Sequence, residues 1–326
     1  MRRTPIQSQS ATLITGAPGF IGRAVARLLE GSDQRLVLLD QVAPEIRSGQ
    51  DSSVGVVCDI SQEGEGRRVF EAESISRIIH LAAILPTAAQ RNPLRGTEVN
   101  VMGSLNLLVI GREFGVARFV FGSSLSVYGT CPANQVISEQ DRAAAENLYS
   151  AAKLYVEQLG SACAGLSFVS LRIGRVVGPG AKSKTSGWRS EIFEFLDADE
   201  PARIKLPYLG RKRVLLVRVD DIAKALLSLL RATRLSCGVY NAPCESVVVE
   251  DLKHQVEALN PNIRVELGET HAAGNPRRLD FSRFQGEFGS KRPPIFERLK
   301  AAGVKNARAI RQSGPRSATF DLGEQD

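Results

Sequence analysis

Short runs of consecutive apolar residues alternate with helical patterns through the first half of the chain, and this alternation limits the fold more than any other feature. Ala11-Thr-Leu-Ile-Thr15, Arg35-Leu-Val-Leu-Leu39, Val54-Gly-Val-Val-Cys58, Arg77-Ile-Ile-His-Leu81, Ala117-Arg-Phe-Val-Phe121 and Leu166 to Arg172 read as six strands. Helical spacing appears from Phe20 to Glu30, from Thr97 to Phe114 and from about Glu146 to Ala164. Near-continuous apolar strands separated by helices predict a parallel sheet covered on both faces. The expected fold is therefore α/β, a doubly wound parallel sheet over residues 8–173. Val219 to Arg231 reads as an amphipathic helix and Gly238 to Asn241 as a strand, so 213–243 is expected to return to that domain. Residues 174–212 and 244–305 read as a smaller interleaved α/β region covering the substrate, with a helix from Val249 to Leu259 and a polar loop from Lys182 to Gly187. From 306 to 326 large apolar residues are few, and a frayed tail is expected.

Composition narrows the function classes. With 43% apolar and 24% charged residues the chain is ordinary for a globular protein. No run of about 18 apolar residues exists, and the two N-terminal arginines have no apolar segment behind them, so neither a membrane span nor a secretory signal is expected. The default compartment is the cytoplasm. Five scattered cysteines without a Cys-x-x-Cys pair argue against a disulfide framework and a metal site. The net charge of +7 is spread out apart from a C-terminal cluster, which disfavours a nucleic-acid partner. Three histidines and no Gly-x-Ser-x-Gly elbow speak against a triad hydrolase.

Gly16-Ala-Pro-Gly19-Phe-Ile-Gly22 joins the first strand to the first helix. Glycines let the backbone approach a pyrophosphate, and a helix N-terminus offers unpaired N–H groups. Asp40 ends the second strand, where a carboxylate bonds ribose hydroxyls and repels a 2′-phosphate; this favours NAD over NADP. Asp59 ends the third strand, within reach of an adenine amino group. Leu81, Ala82 and Ala83 end the fourth with small residues that let backbone pass close to a cofactor, and His80 before them reads as structural.

Tyr149 and Lys153 stand four residues apart, on one face of the expected helix. A neighbouring ammonium favours the phenolate and is expected to lower the tyrosine pKa. The spacing alone is common on exposed helix faces. Ser124 strengthens it, because it follows the fifth strand, at the end of the sheet that faces a ligand crevice. Its neighbour Ser123 reads as a turn residue.

In this order the chain resembles the extended short-chain dehydrogenase/reductases, the NAD-dependent epimerase/dehydratase family. The matching pieces are Gly16-x-x-Gly19-x-x-Gly22, Asp40, His80-Leu-Ala-Ala83, Val99-Asn100, Ser123-Ser-x-x-Val-Tyr-Gly129, Tyr149-x-x-x-Lys153, Leu171-Arg172 with Gly178-Pro179, and Val219-Asp-Asp-Ile-Ala223. The resemblance implies a Rossmann domain that binds NAD, with Phe20, Ile21, Ile60 and Asn100 also in the coenzyme site. It implies Ser124, Tyr149 and Lys153 as the catalytic trio. It also implies a homodimer, paired through the helices at Thr97 to Phe114 and Glu146 to Ala164.

Departures from the family pattern bear on the reaction. Leu125 and Ser126 stand where dehydratases resemble one another in carrying Asp-Glu, so dehydration lacks its acid and base. Arg172-Ile-Gly-Arg175 stands where sugar-nucleotide epimerases usually show Asn, and Arg213 is one place off the arginine that grips a pyrophosphate. The expected function is NAD-dependent hydride transfer at a secondary alcohol or ketone of a small polar substrate. A nucleotide-sugar epimerase is the alternative, and a non-catalytic NAD sensor the third reading. Arg175 is a candidate for a substrate carboxylate, or else a surface salt bridge. Trp188-Arg189 receives no role.

Overall fold

The structure, a computed structural model, describes residues 10–30, 34–46, 52–181, 186–270, 274–289 and 292–302. The 182–185 stretch of the polar loop, His271 and the 306–326 tail lie outside the described residues. The strands run β1 (Ala11–Thr15), β2 (Arg35–Asp40), β3 (Ser53–Val57), β4 (Ile75–His80), β5 (Arg118–Ser124), β6 (Val136–Ile137), β7 (Phe168–Ile173), β8 (Arg175–Val177), β9 (Ala202–Tyr208), β10 (Arg213–Arg218), β11 (Val239–Asn241), β12 (Glu245–Val248), β13 (Ile263–Thr270) and β14 (Arg278–Leu279). The helices are α1 (Phe20–Leu29), α2 (Glu63–Ala72), α3 (Pro86–Arg91), α4 (Pro93–Thr97), α5 (Ser104–Glu113), α6 (Leu148–Ala162), α7 (Trp188–Glu194), α8 (Val219–Arg231), α9 (Val249–Leu259) and α10 (Ser282–Phe288).

Seven strands form one sheet in the order β11-β7-β5-β4-β1-β2-β3, every pair parallel. The apolar strands explain both layers. Side chains alternate across a strand, so Leu36 and Leu38 join Ile14, Val25 and Leu29 under α1 and α8, while Val37 and Leu39 join Leu13, Leu107 and Val156 under α2, α5 and α6. The strand order reverses at β1, which lies between β2 and β4. Such a reversal opens a crevice at the carboxyl ends of the strands.

The expected helix from Thr97 to Phe114 is divided. A π-helical turn, Glu98–Gly103, precedes α5. At this turn Asn100 clasps the backbone of Ile84: its Oδ1 accepts the Ile84 N–H at 2.7 Å and its Nδ2 donates to the Ile84 carbonyl at 2.9 Å. Apolar periodicity does not record one extra residue in a turn.

The second half builds three small sheets: β12-β10-β8, the parallel pair β13-β9, and β14-β6. Trp188, Phe193, Ile204, Val247 and Leu252 are buried in a core of their own. Within 213–243, β11 joins the seven-stranded sheet and α8 packs in the core beneath it, while β10 belongs to the three-stranded sheet. No helix among the described residues is long and apolar enough to cross a membrane.

Candidate active site

A cleft of about 680 Å³ runs across the carboxyl ends of β1, β2, β4 and β5. At one end the β1–α1 loop forms its floor. Gly16 has φ +70°, and a Cβ there would meet the Ala82 nitrogen at 2.7 Å. A side chain is therefore excluded twice, by conformation and by space. Gly19 caps α1 without any side-chain hydrogen bond, which leaves the first N–H groups to a ligand. Gly16, Gly19, Phe20, Ile21, Gly22, Asp40, Ile60, Leu81, Ala82 and Ala83 all line the cleft. A glycine cradle under an uncapped helix end, with a carboxylate at the tip of the next strand, fits an adenine dinucleotide without a 2′-phosphate.

His80 holds this end together from behind. It is fully buried, with Nδ1 2.7 Å from the Thr15 hydroxyl and Nε2 2.9 Å from that of Ser104. Ser104 donates its proton to the Asn100 carbonyl, so Nε2–H is the donor and Nδ1 accepts from Thr15. Thr15 in turn accepts the N–H groups of Leu81 and Ala82, both at 3.2 Å. Burial, helped by the charge of Lys153, pushes the imidazole down to about 3 and keeps it neutral. Its role is structural, as its sequence setting suggested.

Two expected coenzyme residues stand outside the lining. Asp59 accepts from the Ser61 amide and hydroxyl and pairs with Arg95 at 2.5 Å. Burial alone would raise its pKa, but these partners outweigh burial and hold the carboxyl below its ordinary range. Asn100 is buried and occupied with Ile84, so it shapes the loop after β4 rather than facing the cleft.

At the other end Ser124, Tyr149 and Lys153 line the same cleft. Asn147 and Ser150 form a reciprocal capping box that starts α6 at Leu148. The box sets Tyr149 in the first turn and Lys153 one turn on. Lys153 Nζ donates to the Gly122 carbonyl at 2.8 Å and lies 5.6 Å from the centre of the Tyr149 ring. Ser124 caps a short 3₁₀ turn and accepts from the Ser126 hydroxyl at 2.9 Å. Ser123, beside it, is buried and donates to Glu157. Glu157 forms a bidentate, buried ion pair with Arg172 at 2.7 Å.

The electrostatics correct one expectation. Burial lowers Lys153 to about 7, opposed by the carboxylate of Glu157. Burial raises Tyr149 to about 12, and the cation that opposes this is Arg189 rather than Lys153. In the protein alone, desolvation thus outweighs the neighbouring amine, and the phenol stays protonated. Arg175 lines the cleft and donates to the Tyr208 hydroxyl at 3.0 Å. Arg189 and Tyr208 also line it, and both were missed. The available signal was slight: Arg189 stands beside the single tryptophan in the mixed run Trp188-Arg-Ser-Glu-Ile-Phe193.

Comparison with known proteins bears on the family and the fold. The sequence profile of the NAD dependent epimerase/dehydratase family matches residues 12–242. A UDP-glucose 4-epimerase of Lacticaseibacillus casei is 30% identical over 171 residues, 51% of this chain and 51% of that protein. The chain thus spans about half the length of the first curated relatives it matches. A dTDP-4-dehydro-6-deoxy-D-allose reductase of Streptomyces sp. is 30% identical over 289 residues, covering 83% of this chain and 88% of that one. Among solved structures, the UDP-glucose 4-epimerase of Thermus thermophilus in complex with NAD superposes with TM-score 0.78 at 23% identity, over 92% of this chain and 100% of that chain. L-threonine dehydrogenase from Clostridium difficile superposes with TM-score 0.80 at 19% identity, over 93% and 99%. These two share the fold. From the profile match, the long alignment to the reductase and the glycine cradle, the chain is a member of the NAD dependent epimerase/dehydratase family.

Proposed function

We propose that this protein is an NAD-dependent oxidoreductase acting at a secondary alcohol, or the matching ketone, of a small polar substrate. One observation carries the reading: Ser124 at the end of β5 and Tyr149 and Lys153 on α6 line one cleft with the glycine loop and Asp40. Bound NAD supplies the hydride acceptor and a positively charged ring. The chain supplies the proton chemistry. Ser124 hydrogen-bonds the substrate oxygen. Tyr149, protonated in the protein alone, gives its proton to the oxygen of a ketone; in the alcohol direction it takes the hydroxyl proton only as phenolate, a form that the charged nicotinamide ring and Lys153 would favour. Lys153 holds positive charge beside the phenol and, in this reading, the nicotinamide ribose. Gly16, Gly19, Gly22 and the N-terminus of α1 hold the pyrophosphate; Asp40 holds the adenosine ribose.

A second reading is a sugar epimerase that oxidises and then reduces on the opposite face. The UDP-glucose 4-epimerase relatives favour it. The experiment is to incubate hydroxy acids, polyols and sugar nucleotides with added NAD, following reduced nicotinamide and separating products by chromatography. Net coenzyme reduction supports the oxidoreductase. Epimer formation without net reduction supports the alternative, and neither outcome with any class refutes both.

Homodimerisation belongs to the same proposal. Met102, Leu148 and Tyr155, on or beside α5 and α6, are exposed apolar side chains, as a helix-pairing face requires. A monomer at micromolar concentration in sedimentation counts against it. A cytoplasmic setting is supported by five free thiols.

A further inference from the structure

Two guanidiniums stand at the end of the cleft that holds Ser124 and Tyr149, with no acidic side chain beside them among the described lining residues. Arg175 opens β8 and Arg189 lies in the first turn of α7; both line the cleft with Ser124 and Tyr149. Among the described residues, neither takes part in an ion pair. The Nε of Arg189 is buried and has no hydrogen-bond partner among them. Arg175 spends its Nε on the Tyr208 hydroxyl, 3.0 Å away, and its guanidinium lies 5.3 Å from that ring. Asp40 is the one acidic side chain among the described lining residues, and it stands across the sheet on β2.

A buried guanidinium N–H without a partner is costly, and such groups collect where a ligand completes them. Two guanidinium forks and a phenol hydroxyl suit a planar anion better than a neutral sugar. The cleft is of the size that encloses about one drug-sized ligand. Arg175, Arg189 and Tyr208 line this cleft together with Ser124 and Tyr149, so a substrate held by the first three is within the same enclosure as the proton-transfer groups. We propose that Arg175 and Arg189, with Tyr208 behind them, are the carboxylate subsite of the substrate, which is a small hydroxy acid. Its carboxylate rests on the two guanidiniums and its hydroxyl on Ser124 and Tyr149. The inference rests on the oxidoreductase reading of this cleft. The coupling of charges agrees with it: burial holds Arg189 below its ordinary range, Tyr208 and Tyr149 act to raise it and Arg175 acts to lower it, so the four groups sense one another.

Trp188, the single tryptophan, precedes Arg189 and packs 6.0 Å from the Tyr208 ring, so its emission reports the subsite without turnover. The test titrates lactate, glycerate and 3-hydroxybutyrate, with inorganic phosphate and UDP as separate arms, into the NAD-saturated protein. NAD itself is titrated by calorimetry. The expected result is that at least one hydroxy acid binds, and that Arg175→Met and Arg189→Met each weaken it by about tenfold or more while NAD affinity stays at the wild-type value. Should either methionine variant fail to fold, Arg175→Lys and Arg189→Lys keep the charge, remove the fork and are expected to weaken binding in the same direction. Three results overturn the proposal: no hydroxy acid bound while NAD binds, hydroxy acids bound equally by wild type and variants, or arginine-dependent binding of phosphate or UDP in their place. Failure of wild type to bind NAD strikes the oxidoreductase reading instead, and arginine-dependent hydroxy-acid binding would then leave the subsite standing.

Discussion

Replacing Glu157 by Gln tests the ion pair that anchors α6, the helix that carries Tyr149 and Lys153. The carboxylate is 4% exposed and the Arg172 side chain 7%, at 2.7 Å. Removing the negative charge leaves a buried guanidinium with the Tyr128 ring 4.7 Å away and a neutral amide. Breaking a buried pair on one side costs about 3–5 kcal/mol. With an unfolding entropy of about 2.1 cal/mol/K per residue over the whole chain, this lowers Tm by roughly 4–7 °C. Differential scanning calorimetry of the coenzyme-free protein measures the shift. The double variant Glu157→Gln with Arg172→Met removes the stranded charge and is expected to recover most of it. Glu157 also raises Lys153, so its loss moves the Lys153 midpoint below about 7. Activity that needs the ammonium then declines at a lower pH than in wild type. A Tm within about 1 °C of wild type, or a double variant no better than the single, refutes the reasoning.

Lys153→Met removes a charge 5.6 Å from the Tyr149 ring, worth about 3 kcal/mol at an effective dielectric of about 20. A fall in kcat/KM of about a hundredfold is expected below pH ~7, where the ammonium is charged, and rate–pH profiles of the two proteins check it. Asp40→Ala is expected to reduce the preference for NAD over NADP by about tenfold or more, measured as the ratio of the two Kd values. Burial holds His80 near 3 in the fold, against about 6.5 in the unfolded chain. The unfolded chain then binds more protons between these values. The contribution is complete above pH ~6.5 and is lost as pH falls toward about 3, so urea midpoints are expected to drop on acidification and to drop less in His80→Gln.

What could be read from the sequence and what could not divide along physical lines. The β1, β2, β4 and β5 strands are largely buried on both faces, so their apolar runs read directly, while β3 at the sheet edge is only partly covered; the glycine loop, Asp40 and Ser124 follow from lying at strand ends. Tyr149 and Lys153 follow from helical spacing. The second half is harder because β8, β10 and β12 make a three-stranded sheet of three to six residues each, joined across distant segments. Their pairing depends on contacts that no local pattern records. Arg189 was missed for the same reason. No helix was read over Trp188–Glu194, and the place of Arg189 beside Tyr149 is set by how the small core around Trp188 packs. The turn at Glu98–Gly103 was hidden because one clasp, Asn100 on Ile84, decides it. The phenol of Tyr149 was expected to be acidified by Lys153, a view that counted the neighbour and left out desolvation.

The most direct test compares hydride transfer in wild type and Tyr149→Phe, with NAD affinity measured on the same samples. Reduced nicotinamide is followed in a single turnover with whichever substrate of the screen reduces the coenzyme. The account predicts that Tyr149→Phe binds NAD as wild type does and transfers hydride at least about a hundredfold more slowly. Equal rates in the two proteins, with NAD bound by both, contradict it.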